Sequence, residues 1–179
     1  ADGAQPARLL DGADLDLAVA RGAAYYGHVR RGRGVRIRGG TARAFYVAVE
    51  SALPAIPGLE PPIEALCVAP FGMEEGTEAA LAEQEFGLRV GEPVQFRFFG
   101  SSVRRQDQIG TFLDFWTDEE LQELNAIELL LPATGRLPGE VVQVRLHARI
   151  TEAGTLELEA LPRDGDERWK IEFDVRSAA

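Results

Sequence analysis

The 179-residue chain has one cysteine, two histidines and one methionine. A single cysteine, Cys67, excludes a fold stapled by internal disulfides and suits a reducing compartment, so the expectation is cytoplasmic. His28 and His147 lie far apart, and no Cys/His cluster has metal-ligand spacing. GxSxG, HExxH and Walker A motifs are absent, which leaves no motif for hydrolase, zinc-protease or nucleotide chemistry. Cys67 with a histidine would be the one nucleophile–base pair on offer, but in the run IEALCV it reads as a small buried hydrophobe. No apolar run approaches the ~18 residues of a membrane helix. No basic-then-apolar leader pattern opens the sequence. The expectation is therefore a non-enzymatic chain with no membrane, no metal and no cofactor of its own.

What is present is a globular composition, 45% hydrophobic and 27% charged. The net charge is −10, but Arg21–Val49 holds seven arginines and no acid, which leaves −17 for the remainder. The basic stretch lacks interleaved aromatics before Phe45, and the acidic remainder repels phosphate, so nucleic acid is not an expected partner.

Asp14 is placed to cap a helix over 15–31, with Arg30 and Arg31 at its C-terminal end and Gly32 to stop it. Its segment AVARGAAYYG carries little side chain, and Gly22 and Gly27 in a helix interior imply close approach to a neighbour. RGRGVRIRGG follows as a basic connector containing a short strand, VRIR. The expected organisation is a tail plus helix over 1–31, a linker over 32–43 and a β-domain over 44–176.

Within the β-domain, AFYVAVES and IEALCVAP read as strands, and FGMEEGTEAALAEQ as an acidic loop. FGLRV and PVQFRFF, separated by Gly91-Glu92, have hairpin spacing, and IGTFLDF follows the polar turn SSVRRQDQ. Thr117 with Glu120 makes a capping box for a short helix over 117–124. The C-terminal third alternates strictly: Val142, Val144, Leu146, Ala148 and Ile150, then Leu156, Leu158 and Ala160, then Trp169, Ile171, Phe173 and Val175. This is a three-strand antiparallel meander, with Arg145 and Arg149 able to face Glu157 and Glu159 and with His147 on the polar face. About eight strands with one wet face per sheet indicate a mainly β, two-layer antiparallel β-sandwich with an N-terminal helix.

The order of these segments resembles the C-terminal half of the heat-shock-70 (DnaK-type) chaperone family. DLDLAVARGAAYYG is similar to the helix that ends the family's ATPase domain. FYVAVE resembles the first strand of its substrate-binding β-domain. VQFRFFGSSVRRQDQIGTFLDF resembles a strand, a polar turn and an LGxF strand, with Gly110 and Phe112 in the LGxF positions. VVQVRLHARITEAGTLELEA resembles the IEVTFDIDxxGILxVSA hairpin, Gly154 and Leu156 matching, and ERWKIEFDVR the closing strand. The resemblance spans about residues 14–176.

It implies a heat-shock-70-substrate-binding-domain-like sandwich whose loops form a cleft for extended apolar peptides or unfolded protein. By position, Val49, Ala52, Phe86, Leu88, Val94 and Phe96 would line that cleft, Val94 at its central pocket; core packing is the other reading of each. It also implies a fragment beginning in the last ATPase helix, with an ATPase domain of the same parent chain as a partner and ATP a cofactor only of that parent. The departures are a basic linker where the family's is acidic and Leu-rich, about ten extra Pro-rich residues between Glu50 and Phe86, and no helical lid after the closing strand. Asp16 falls where the family's helix helps close the nucleotide pocket, and alone it binds nothing. Without that neighbour, the helix is expected to dock on the sandwich or to pair two copies as a homodimer. The alternative function is a structural or regulatory protein-interaction β-domain with a vestigial cleft.

Overall fold

The structure, a computed structural model, describes residues 15–35, 39–51, 58 and 61–174. The chain divides into two units, 1–38 and 39–179. The first holds helix α1 (Leu15–Arg30). Within that unit, Tyr25 Oη donates to Val35 O (3.1 Å) and accepts from Val35 N–H (3.0 Å), folding the segment after the helix back on its last turns. Among the described residues of that unit, a Cβ added at Gly22 or Gly27 would meet nothing within 4 Å. The expected strand VRIR falls mostly on 36–38, outside the described residues; Val35 is not in a strand.

The second unit is a two-layer antiparallel β-sandwich with eleven strands among the described residues. They are β1 (Ala44–Glu50), β2 (Ile63–Ala69), β3 (Glu78–Arg89), β4 (Pro93–Phe96), β5 (Phe98–Ser101), β6 (Phe112–Leu113), β7 (Gln122–Glu123), β8 (Ile127–Leu130), β9 (Val141–Ile150), β10 (Thr155–Pro162) and β11 (Trp169–Asp174). One sheet runs β6-β2-β1-β5-β7, the other β11-β10-β9-β3, and β4-β8 form a separate two-stranded ribbon.

The last part of the expected linker belongs to this unit. Glu75 N–H donates to Gly39 O, Thr41 N–H to Met73 O and Gly72 N–H to Thr41 O. A Cβ at Gly40 would lie 2.5 Å from Gly72 O, so only glycine permits this approach.

Two hydrophobic patterns in the sequence correspond to the two sheets. The strictly alternating C-terminal strands put Ala148, Ile150, Leu156, Leu158, Ile171 and Phe173 inward, and their outer face carries charge. There Arg149 pairs with Glu157 (3.4 Å), as expected; Glu159 instead meets Arg168 (3.9 Å) and Arg145 meets Glu85 (3.6 Å). Such exposed pairs contribute up to ~1 kcal/mol each.

The near-continuous apolar runs of β1 and β2 are buried on both faces. Phe45, Val47, Leu66, Val68 and Phe98 face the other sheet, Phe98 stacked on Phe173 with ring centroids 4.8 Å apart. Ala44, Tyr46, Ala65, Cys67 and Phe99 face the opposite way, under Leu113, Trp116 and Leu121. One wet face per sheet therefore holds for the β9–β11 sheet and not for the other.

Three further expectations are corrected. The stretch 71–84 is not all loop: residues 78–84 are the first part of β3. Between Leu81 and Phe86 the register against β9 slips, because 82–85 stand opposite Arg145 alone. That irregularity, in an acidic Ala-rich run, hides the strand's alternation. The segments either side of Gly91-Glu92 are not a hairpin: β3 pairs with β9 and β4 with β8. Residues 117–121 form one turn rather than a helix. Half of the capping box exists: Thr117 N–H donates to Glu120 Oε2 (3.1 Å), but the Thr117 hydroxyl also donates there (3.2 Å), and the Glu120 and Leu121 N–H groups donate to Thr117 O instead. Leu121 then enters the core and the chain leaves as β7.

The ribbon continues the β5–β7 pair through a bulge. Phe96 lies opposite Ile127 and Phe99 opposite Glu123, so Arg97-Phe98 face Leu124-Asn125-Ala126. The extra residue bends the arm away from the sheet and shifts the side-chain parity, so that Ile127 and Leu129 turn inward beside Phe96. Deleting Ala126 would leave Ile127 opposite Phe96 in plain pairing, so truncation tests the inward placement. Ile127→Ala is expected to cost about 1–3 kcal/mol and exposed Glu128→Ala under ~0.5 kcal/mol, read as urea midpoints; equal midpoints for the two variants contradict the parity argument.

Candidate apolar cleft and polar latch

Val94 and Phe96 alternate with exposed Pro93 and Gln95 along β4, and Ile127 and Leu129 do the same along β8. The pairings Val94–Leu129 and Phe96–Ile127 give the ribbon one apolar face. All four side chains are half-buried. Phe96 and Leu129 pack against both the central core and an end cluster built on Leu88, Val90, Val142, Val144 and Trp169. Phe86, from the irregular part of β3, does the same and stacks on Phe112 of β6, with centroids 6.3 Å and planes 29° apart. At the bend, Arg97 makes a two-bond ion pair with Glu123, Nε–Oε1 2.7 Å and Nη2–Oε2 2.8 Å. The Arg97 hydrogen bond holds Glu123 below the usual carboxylate range.

The residues expected to line a cleft are thus distributed unevenly. Phe86 and Phe96 share packing neighbours, and Val94 is on the same ribbon face as Phe96. Val49 is half-buried near the end of β1, packed on the central core and paired with Glu64. Leu88 is a core side chain, buried in the end cluster. Ala52 lies outside the described residues. Ile127, Leu129, Leu146 and Phe112 also pack on the central core, none of them among the residues expected to line the cleft. The alternation of IELL was the available signal for the first two, but its partner strand lies some thirty residues away.

A second constellation sits on the other face of the β1–β2 sheet. Tyr46 Oη donates to Asp107 Oδ2 at 2.7 Å. Arg104 clasps the same carboxylate, Nε–Oδ2 2.6 Å and Nη2–Oδ1 3.3 Å, and reaches Glu120 Oε1 at 2.9 Å. Arg104 N–H caps on Ser101 Oγ at 3.0 Å. The polar turn so held also bonds to β2, Cys67 N–H to Thr111 O (2.8 Å) and Gly110 N–H to Cys67 O (2.9 Å). Gly110 takes φ +83°, a left-handed conformation favouring glycine.

Burial pushes the Tyr46 hydroxyl far above its ordinary range, and its bond to Asp107 adds to this. Burial likewise pushes the Cys67 thiol up to about 12, with the Asp107 charge adding to it, so the sulfur is an inert core atom rather than a nucleophile. For Asp107, burial opposes ionisation, but the bonds from Arg104 and Tyr46 outweigh it and leave the carboxyl below its usual value.

Among the described residues no group of three or more His, Cys, Asp and Glu could hold a metal ion, and no helix is long and apolar enough to cross a membrane. No protein-family model and no curated protein matches the chain.

Because the folded-state pKa of Asp107 is lowered, its stabilisation is fully present above the unfolded value near 4 and is lost as pH falls through the folded value. Asp107→Asn is expected to cost about 1–3 kcal/mol at pH 7. The gap from wild type should narrow as the pH is taken below about 4. Urea unfolding across that range checks both the size and the sign.

Proposed function

We propose that this chain is a peptide-binding β-domain of a heat-shock-70-like chaperone, non-catalytic in itself, acting in the cytoplasm on extended apolar segments of unfolded protein. The observation that carries the reading is the bent β4–β8 ribbon. Its apolar face, Val94, Phe96, Ile127 and Leu129, is half-buried rather than sealed into either sheet, and Phe96 and Leu129 pack on the same two clusters as Phe86. The ribbon pairs with neither sheet: a bulge joins it to β5–β7 at one end, and Gly91 N–H to Leu131 O and Trp169 Nε1–H to Pro132 O tie the other, so the stretch between can open locally without unfolding the sheets. An extended peptide seated there gains apolar contact for its side chains and hydrogen bonds for its backbone.

The segments that carry the resemblance support the same reading. FYVAVE is β1, VQFRFFG spans β4 and β5, and IGTF leads into β6. VVQVRLHARITEAGTLELEA is the β9–β10 hairpin with Gly154 at its turn, and ERWKIEFDVR contains β11.

The second reading, an interaction domain with a vestigial cleft, is favoured by the packing of Phe86 and Phe96 on the core and by the burial of Leu88. Titration of fluorescein-labelled apolar peptides separates the two. The peptide reading expects saturable binding at micromolar or weaker Kd, little changed by salt. It expects Val94→Phe to weaken binding about tenfold, or ~1.4 kcal/mol. No saturable binding, or a Val94→Phe variant equal to wild type, removes the cleft. An interaction domain binding through charge instead loses affinity steeply with added salt.

A further inference from the structure

Two-residue β6 joins the two constellations described above. Phe112 and Leu113 are adjacent, pair with Leu66 and Ala65 of β2, and face opposite ways. Leu113 is buried on the outer face, among Tyr46, Cys67 and Leu121. Phe112 turns to the inner face, against the central core and the Phe86 ring. The polar turn that delivers β6 is fastened only a few residues earlier, where Tyr46 and Arg104 hold Asp107 and Gly110 N–H holds Cys67 O. A ring stacked at the edge of an apolar cluster keeps its place only as well as the backbone that carries it. Here that backbone has two residues of strand pairing, two bonds between the turn and Cys67, the packing of Leu113, and, as its side-chain tie to β1, the bond from Tyr46 to Asp107.

We infer that the Tyr46–Asp107–Arg104 latch is a positioning device for the apolar site: by clamping the 102–111 turn onto β1, it fixes Phe112 against Phe86 and slows the exchange of a bound peptide. The inference rests on the peptide-binding reading above. Opening the latch lifts the turn from Cys67, withdraws Phe112 and loosens the wall on which Phe86 leans. The residues that hold the latch touch no peptide; they act through one aromatic ring on the other side of the sheet.

Cys67 supplies a reporter that needs no peptide. It is the sole cysteine, it is buried, and its backbone N–H and C=O are both bonded to the turn. The experiment uses the full chain and two readouts: the rate at which Ellman's reagent modifies Cys67, and the dissociation rate of a fluorescein-labelled Leu/Val-rich peptide. Asp107→Asn and Tyr46→Phe are expected to raise the thiol rate about tenfold and to speed peptide release severalfold in parallel. Ile171→Val, a mild core truncation in β11, should leave both rates unchanged while the protein stays folded. Phe112→Leu should speed release with the thiol rate unchanged.

Latch variants that expose Cys67 but release peptide at the wild-type rate overturn the inference and leave the peptide reading standing. Latch variants that leave the thiol rate unchanged overturn it as well. Wild type that shows no saturable peptide binding removes the reading itself, before any variant is compared, and the inference falls with it.

Discussion

Everything in the β-domain depends on burying β1 and β2 on both faces. Two adjacent strands with apolar side chains pointing both ways need two covers. The β3–β9–β10–β11 sheet supplies one, through Phe98 on Phe173 and the aliphatic side chains around them. The other is the irregular segment from Ser101 to Leu121, which has too little regular structure to cover a sheet by strand pairing alone. Polar bonds do that work: Asp107, held between Tyr46 and Arg104, fastens the cover to the strand beneath it. A charged group in such a place is tolerated because each carboxylate oxygen has a donor.

The same constraint explains the ribbon. The β5–β7 pair must lie flat beside β1 to complete the sheet, yet the chain beyond it has to reach the end of the sandwich. One extra residue on the β7 side supplies the bend and resets the parity, so the arm carries its apolar residues toward the core rather than into water. The result is an apolar surface that is neither core nor solvent-facing, next to an aromatic ring placed by the cover on the far face. Reversible capture of apolar chain segments is the use proposed for this surface; Cys67 sits buried on the other face of the β1–β2 pair with its thiol pKa raised.

Legibility of these features followed from pattern strength. The 141–174 meander could be read because its alternation is unbroken and its turns are short, with Gly154 at the first. β1 and β2 could be read as strands, but their double-sided burial is visible only once their cover is known. The second half of β3, in FGLRV, could be read; the first half was hidden by four residues opposite one, which destroy the period of two. The capping box at Thr117 and Glu120 was half formed, in the bond from Thr117 N–H to Glu120, and misleading at the level of the element, because the Leu121 side chain is used by the sheet. Of the candidate cluster, Phe86, Val94 and Phe96 were named by their place in the resemblance, and Phe112 only as part of the LGxF pattern. Ile127 and Leu129 were not named, since they enter through pairings distant in sequence and through a bulge that no propensity announces.

The most direct test of this account is amide hydrogen exchange of the whole chain, with and without a saturating apolar peptide. The account predicts that β1 and β2 exchange slowly in both states. The ribbon amides of 94–96 and 127–130 should exchange quickly alone and become protected, together with Phe86, when peptide is present. Ribbon amides as slow as those of β1 in the free protein, or protection that appears elsewhere while the ribbon is unchanged, would contradict it.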